Sequence, residues 1–213
     1  MNATSRGSPQ ARLTRERIVA EASRIVLSEG ADALSMRDLA GRLGVSAMAL
    51  YNHVGDKGDL VRAVTSSALR DLKLPRAEDW REQLRLVFRA VRDRCVENPA
   101  LPRLIERADL REPKLFEPME VALAALAKAG LTGADALRAY FLLIGFTMGH
   151  VAYLIGGPFR ALDLSRAISE GKLNPVAFPL TVEVAASAAD WNFETAFEFG
   201  LDTIIAGLER GRD

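Results

Sequence analysis

Residues 34–60 read LSMRDLAGRLGVSAMALYNHVGDKGDL. The stretch holds three cations, Arg37, Arg42 and Lys57, the hydroxyl-bearing Ser35, Ser46 and Tyr51, an imidazole at His53, and the small apolar run Ala47-Met48-Ala49. Side chains of these types recognise rather than react. Basic and hydroxyl groups grip phosphate, and small residues at the start of a short helix let its N-terminus meet base edges. Nothing elsewhere offers a competing chemistry: there is no nucleophile elbow, phosphate loop, well-spaced carboxylate pair or His/Cys metal constellation. Catalytic residues, metals and cofactors are therefore not expected, and the chain does not read as an enzyme.

Such groups work only if helices hold them. Ser35 with Asp38 three residues on signals a helix start, Met36, Leu39, Ala40 and Leu43 face inward, and Gly44 supplies a left-handed stop. Ser46 then caps a third short helix, 47 to about 53, anchored by Leu50. Two short helices either side of a glycine turn make a helix-turn-helix, whose second helix fits a major groove about 12 Å wide.

Around this motif, apolar residues recur at helical spacing and no run alternates long enough for a strand, so the chain reads as all-α. A first helix spans about 14 to 29, with Thr14 as N-cap and Gly30 as stop. A fourth runs from about Asp56 to Leu74, ahead of Pro75, and a fifth begins at Asp79. Shorter helices cover about 100 to 109 and 113 to 129, a long one 134 to 156, and a last one 192 to 209. The prolines at 158, 175 and 179 mark 157–190 as a long connection.

The 213 residues carry 28 Lys and Arg against 28 Asp and Glu, so no global field draws the molecule to nucleic acid or membrane. Residues 1–58 hold eight cations and six acids, a small excess of the right sign. A single cysteine, Cys95, forms no internal disulfide and reads as a small buried hydrophobe in a reducing, cytoplasmic compartment. No apolar h-region follows the polar N-terminus, which reads as a flexible arm over 1–13 whose Arg6 and Arg12 are candidate minor-groove contacts.

The 34–60 pattern resembles the DNA-binding domain of the TetR/AcrR family of transcriptional regulators. The likeness covers about residues 14–64 and rests on Gly30, Ser35 to Ala40, Leu43-Gly44-Val45-Ser46, Leu50 to Val54 and Asp56 to Leu60. It implies a DNA-binding set of Arg37, Ser46, Ala47, Met48, Ala49, Tyr51, His53 and Lys57. In it Arg37 contacts phosphate or base, Ala47 to Ala49 lie against base edges, and Tyr51, His53 and Lys57 reach phosphates. Since Ala47, Met48 and Ala49 bear no hydrogen-bonding side chain, direct readout there rests on apolar contact such as with thymine methyls. The domains implied are an arm (1–13), a three-helix helix-turn-helix domain (14–60), and a C-terminal helical bundle for effector binding and dimerisation (61–213).

The run 139–159 contains no Asp, Glu, Lys or Arg and is long enough to span a bilayer. Every other helix is amphipathic, which favours burial in a bundle over a membrane. One side carries Phe141, Leu142, Gly145, Met148, Gly149 and Ala152, the other Tyr140, Leu143, Thr147, His150 and Leu154. In the family the last two long helices pair with those of a second subunit. The resemblance thus places Phe141, Gly145, Met148, Gly149, Ala152, Phe193, Phe197, Leu201, Ile204 and Ile205 at a homodimer interface. A twofold dimer presents two recognition helices to a palindromic operator on double-stranded DNA, about 34–36 Å apart. The second side of the run, with the helices before it, suggests an effector pocket of Phe88, Arg92, Met119, Leu123, Tyr140, Thr147 and His150, for a small and largely apolar molecule. Rival expectations are a DNA-binding dimer with no small-molecule effector, a helical enzyme with a vestigial motif, and a membrane protein.

Overall fold

The first five helices each begin at a side-chain oxygen that accepts a first-turn backbone N–H: Thr14, Ser35, Ser46, Asp56 and Asp79. Each such cap stabilises its helix by about 1 kcal/mol. The computed structural model describes residues 12–70, 72–107, 113–156, 170–172, 174–187 and 192–210. The helices are α1 (Arg15–Glu29), α2 (Met36–Leu43), α3 (Ala47–Tyr51), α4 (Lys57–Leu69), α5 (Trp80–Glu97), α6 (Leu101–Arg107), α7 (Glu117–Lys128), α8 (Gly133–Ile155), α9 (Pro179–Ser187) and α10 (Phe193–Arg210). Two 3₁₀ turns, Ala31–Ala33 and Pro113–Leu115, complete them, and no strand occurs among the described residues. Most of the expected arm, including Arg6, lies outside the described residues.

The chain parts into two compact units, one of residues 1–71 and 100–115, the other of 72–99 and 116–213. α4 runs through residue 60, where a boundary was expected, and α6 belongs to the first unit. Ile18, Ala22, Ile25 and Val26 of α1 meet Leu39, Leu50, Leu60 and Val64 from the next three helices, and Leu104 of α6 closes this core. α6 packs against α4 and brings Leu104 into this core.

In the second unit α5 packs against both α7 and α8, and α10 lies along α8 and α5. Its core is Leu84, Val87 and Phe88, Ala122 and Leu126, Ala139 and Leu143, and Phe197, Leu201 and Ile205. A ladder of ion pairs joins α5 to α10: Arg81 with Glu209, Arg85 with Asp202 at 2.6 Å, Arg89 with Glu198 at 2.5 Å, and Arg92 with Glu194 at 2.9 Å. Arginine numbers rise as the acid numbers fall, so the two helices run antiparallel.

Three sequence expectations change. α4 ends at Leu69 rather than Leu74; Pro75 disfavours helical backbone at Leu74, which packs on the second core. The extended link is held by buried Gln83, whose Nε2 donates to Pro75 O at 2.9 Å and whose Oε1 accepts from Ala77 N at 2.8 Å. α3 ends at Tyr51 rather than His53, with the N–H groups of His53 and Val54 both donating to Leu50 O. Finally, the 157–190 connection contains the nine-residue helix α9, begun by Pro179.

α8 is long and apolar enough to cross a membrane by length and composition. Ala136, Ala139, Leu143, Thr147, His150 and Val151 are nevertheless buried within its own unit, which uses one face of the helix as core. That packing is close where α10 crosses it. A Cβ built on Gly200 falls 2.4 Å from Phe146 Cζ, and the Phe146 ring is itself stacked on Phe197 at 5.5 Å. Gly→Ala in an exposed helix gains about 1 kcal/mol. Here Gly200→Ala is expected to lose about 1–3 kcal/mol by overpacking, seen as a lowered denaturant midpoint.

Candidate functional site

α2 ends on Gly44, whose φ of 68° and ψ of 32° lie in the left-handed region, while Val45 N donates back to Ala40 O at 3.0 Å. This turn aims α3 away from α2. At the α2 start Asp38 N donates to Ser35 Oγ at 3.1 Å, and the Ser35 hydroxyl donates to Asp38 Oδ2 at 2.7 Å, a variant of the expected capping box. Ser46 Oγ accepts from Ala49 N at 3.2 Å, so its oxygen is engaged in capping α3. Leu50, fully buried, is the one inward side chain of this five-residue helix.

The rest of α3 faces solvent. Met48 is 73% exposed and Tyr51 46%, with Ala47 and His53 also exposed and Ala49 half-buried. Arg37 and Lys57 are exposed and form no ion pair among the described residues. The neighbouring cations are committed: Arg42 pairs with Glu29, Arg24 with Glu21, and Arg15 and Arg62 with Asp59. Two free cations thus bracket an exposed apolar tip, an arrangement suited to phosphate contacts on either side of a groove-facing helix.

In the second unit the expected effector residues fall into two groups. Phe88 and Tyr140 approach with ring centroids 6.2 Å apart, and Leu123 packs against the same core; half-buried Met119 lies on α7. Burial raises the Tyr140 pKa, keeping the phenol protonated. The other group centres on Phe197, with the Arg92 guanidinium 4.4 Å above its ring and the His150 ring 4.9 Å away. Arg92 and His150 are each 7% exposed, and the buried His150 Nε2 has no hydrogen-bond partner among the described residues. Burial, helped by Arg92 and opposed by Glu194, lowers the His150 pKa, so the imidazole is neutral near pH 7. Thr147 belongs to neither group, because its hydroxyl donates to Leu143 O at 2.8 Å. Cys95 is buried, and the same desolvation raises its thiol to about 11, removing it as a nucleophile.

On α8 the residues expected at a subunit interface, Phe141, Gly145, Gly149 and Ala152, are exposed, and Met148 is half-buried. On α10, Phe193 and Ile204 are half-buried, whereas Phe197, Leu201 and Ile205, expected at the interface, are buried in the core of their own unit. Sequence reading missed Phe199, 76% exposed on the opposite side of α10. Two positions after Phe197 is about 200° around a helix, which was the available signal. It also missed exposed Leu137 and Tyr153, which extend the i+4 ridge of Phe141, Gly145 and Gly149.

A family model for bacterial regulatory proteins of the tetR family matches residues 18–64, and one for the tetracyclin repressor-like C-terminal domain matches residues 74–211. The chain belongs to the TetR family. It is 30% identical over 203 residues to an HTH-type transcriptional regulator of Saccharopolyspora erythraea, covering 92% of this chain and 84% of that protein. The HTH-type transcriptional repressor DrrR1 of Streptomyces coeruleorubidus is also 30% identical, over 219 residues, covering 96% and 80%. Among solved structures, the TetR family protein ActR of Streptomyces coelicolor in complex with (S)-DNPA superposes with a TM-score of 0.75, at 30% identity over 94% of this chain and 99% of ActR. ActR in complex with actinorhodin gives 0.73 at the same identity. The TetR family chain is thus a DNA-binding transcriptional regulator in which the helix-turn-helix precedes a regulatory domain of the ligand-binding type.

Proposed function

We propose that this protein is a cytoplasmic, homodimeric repressor that leaves a palindromic operator when a small, largely apolar molecule binds its second unit. The observation that carries the DNA half is α3 itself: exposed Ala47, Met48 and Tyr51 with half-buried Ala49, flanked by Arg37 and Lys57, which form no ion pair among the described residues. Apolar contact at the tip favours thymine methyls, with DNA shape setting the rest of the specificity.

The dimer half is supported by the exposed ridge of α8. Its glycines have nothing within 4 Å of an added Cβ, leaving room for a partner helix between the large apolar Leu137, Phe141 and Tyr153. The effector half is supported by polar groups set among apolar ones in the second unit, Tyr140 beside Phe88 and Arg92 with His150 on Phe197, and by the ligands bound to ActR. A coupling of about 1–3 kcal/mol changes operator affinity roughly 5- to 150-fold, enough for a switch.

The test is selection of bound duplexes from genomic fragments, followed by affinity measurements over a salt series. Wild type is expected to recover a palindrome, and Arg37→Ala to weaken binding by about 1–3 kcal/mol if the residue reads a base. If it holds phosphate alone, the log–log salt slope falls by about 1 with little change in sequence preference. Equal binding by Arg37→Ala and wild type at every salt concentration would remove Arg37 from the interface. A dimer that binds DNA without a small effector is the second reading, favoured by Thr147, which is fully buried with its hydroxyl satisfied within α8. Small-molecule screening of operator release decides between the two.

A further inference from the structure

Arg15 occupies the first position of α1, where a cation opposes the helix dipole. Its guanidinium reaches across the first unit to the α3–α4 turn. Nη1 donates to His53 O at 2.9 Å and to Asp59 Oδ2 at 2.9 Å, and Nη2 donates to Asp59 Oδ1 at 2.9 Å. Asp59 Oδ2 also accepts from Gly55 N at 3.0 Å, Arg62 stands 3.6 Å from Oδ1, and Asp59 N donates to the Asp56 cap. One guanidinium and one carboxylate therefore fasten the turn after the recognition helix and the start of α4 to α1. His53 is itself fastened by its carbonyl, Tyr51 stands two residues before it, and Lys57 lies between it and Asp59.

We propose that Arg15 and Asp59 are positioning residues for operator binding: they touch no DNA but fix the orientation of α3 and its phosphate-gripping flank. The inference rests on the reading of α3 as the DNA-contacting helix. A five-residue helix with one buried side chain has little else to define its tilt. A bidentate Arg–carboxylate pair, with a third bond to a carbonyl of the turn that follows α3, sets direction as well as distance. Hydrogen bonds from Arg15 and then Gly55 hold the Asp59 carboxyl down to about 2. Its contribution is complete above the ordinary carboxylate value of 3.8 and is lost only as pH falls through about 2, so the clamp stays closed at physiological pH.

Charge and position make opposite predictions for Asp59→Asn. The substitution removes a negative charge beside the phosphate-gripping turn, and charge alone would tighten binding to any duplex. A lost clamp instead weakens binding to the selected duplex while binding to a scrambled duplex of equal length rises or holds. The experiment measures both affinities for the full chain carrying Asp59→Asn, Arg15→Met, Arg15→Lys or Arg37→Ala, with thermal unfolding checked for each. The ratio of selected to scrambled affinity is expected to fall about tenfold in the first two variants, the size of one lost charge-assisted contact. Arg15→Lys, which lacks the planar fork, is expected to recover only part of it. A ratio unchanged in Asp59→Asn and Arg15→Met, or binding to the selected duplex tightened in Asp59→Asn, overturns the proposal if Arg37→Ala still weakens binding. A wild-type chain that does not distinguish the selected duplex from the scrambled one overturns the DNA-contact reading itself, and the proposal with it.

Discussion

Phe141→Glu is expected to convert the dimer to a monomer and to lower operator affinity by about 10²- to 10³-fold, the effective-concentration advantage of two linked half-sites. Phe141 is 61% exposed on the α8 ridge, between Leu137 and Gly145, with Gly149 and Tyr153 beyond. A ridge of this i+4 spacing packs against a copy of itself across a twofold axis, and the glycines set how near the two backbones come. A carboxylate there is harmless in a monomer, since the side chain already meets water. In a dimer it is desolvated opposite its own image, and both burial and like-charge repulsion act against association. Sedimentation and circular dichroism together make the check: the mass should halve while helical content stays constant. Phe199→Glu on α10 should act in the same direction. If both variants remain dimers, the partner does not pack on this face.

How far the sequence disclosed this molecule depends on whether a local signal decided the outcome. Caps and stops at Thr14, Ser35, Gly44, Ser46, Asp56 and Asp79 are written in a few adjacent residues, and the helix starts follow them closely. The helix-turn-helix was legible for the same reason: Leu50 and Gly44 are local devices, and the exposed tip between them is what remains. Tertiary contacts were not legible. The stripe Phe197, Leu201 and Ile205 announces an apolar face but not whether its own chain or another covers it. The structure gives it to α5 and α8, and Phe199 on the reverse side is left outside. Nor could spacing reveal that Arg15 meets Asp59, forty-four positions away, or that α6 returns to the first unit.

The α5–α10 seam explains why the second unit tolerates so many charges near its core. Arg85 and Arg89 are partly exposed and pair with Asp202 and Glu198, where solvent screening leaves each pair worth little in stability. Their value lies in register, since a one-turn slip of α10 would face arginines with the wrong rung. Arg92 differs, because its side chain is buried and its flat face rests on Phe197 while Asp93 and Glu194 neutralise it.

Phe197→Ala is accordingly expected to cost about 3–5 kcal/mol, the usual range for removing a fully buried ring. Domain stability totals only about 5–15 kcal/mol, so the second unit would lose a large part of its own. Three partners lose their surface at once: Phe146, stacked at 5.5 Å with an interplanar angle of 19°; His150 at 4.9 Å; and the Arg92 guanidinium at 4.4 Å. Phe197→Leu separates the causes. It keeps much of the volume and removes the π face, so the loss should shrink to about 1–2 kcal/mol, of which the cation–π contact supplies about 0.5–2. Denaturant melts at several protein concentrations provide the measurement. Because the inner face of α10 holds Phe197 and its outer face holds Phe199, loosening one side should weaken subunit contact on the other, and the midpoint of Phe197→Ala should depend more steeply on concentration than that of wild type. A Phe197→Ala protein as stable as wild type would mean that the ring is not what joins α10 to α5 and α8, and the seam would then rest on the leucines below it.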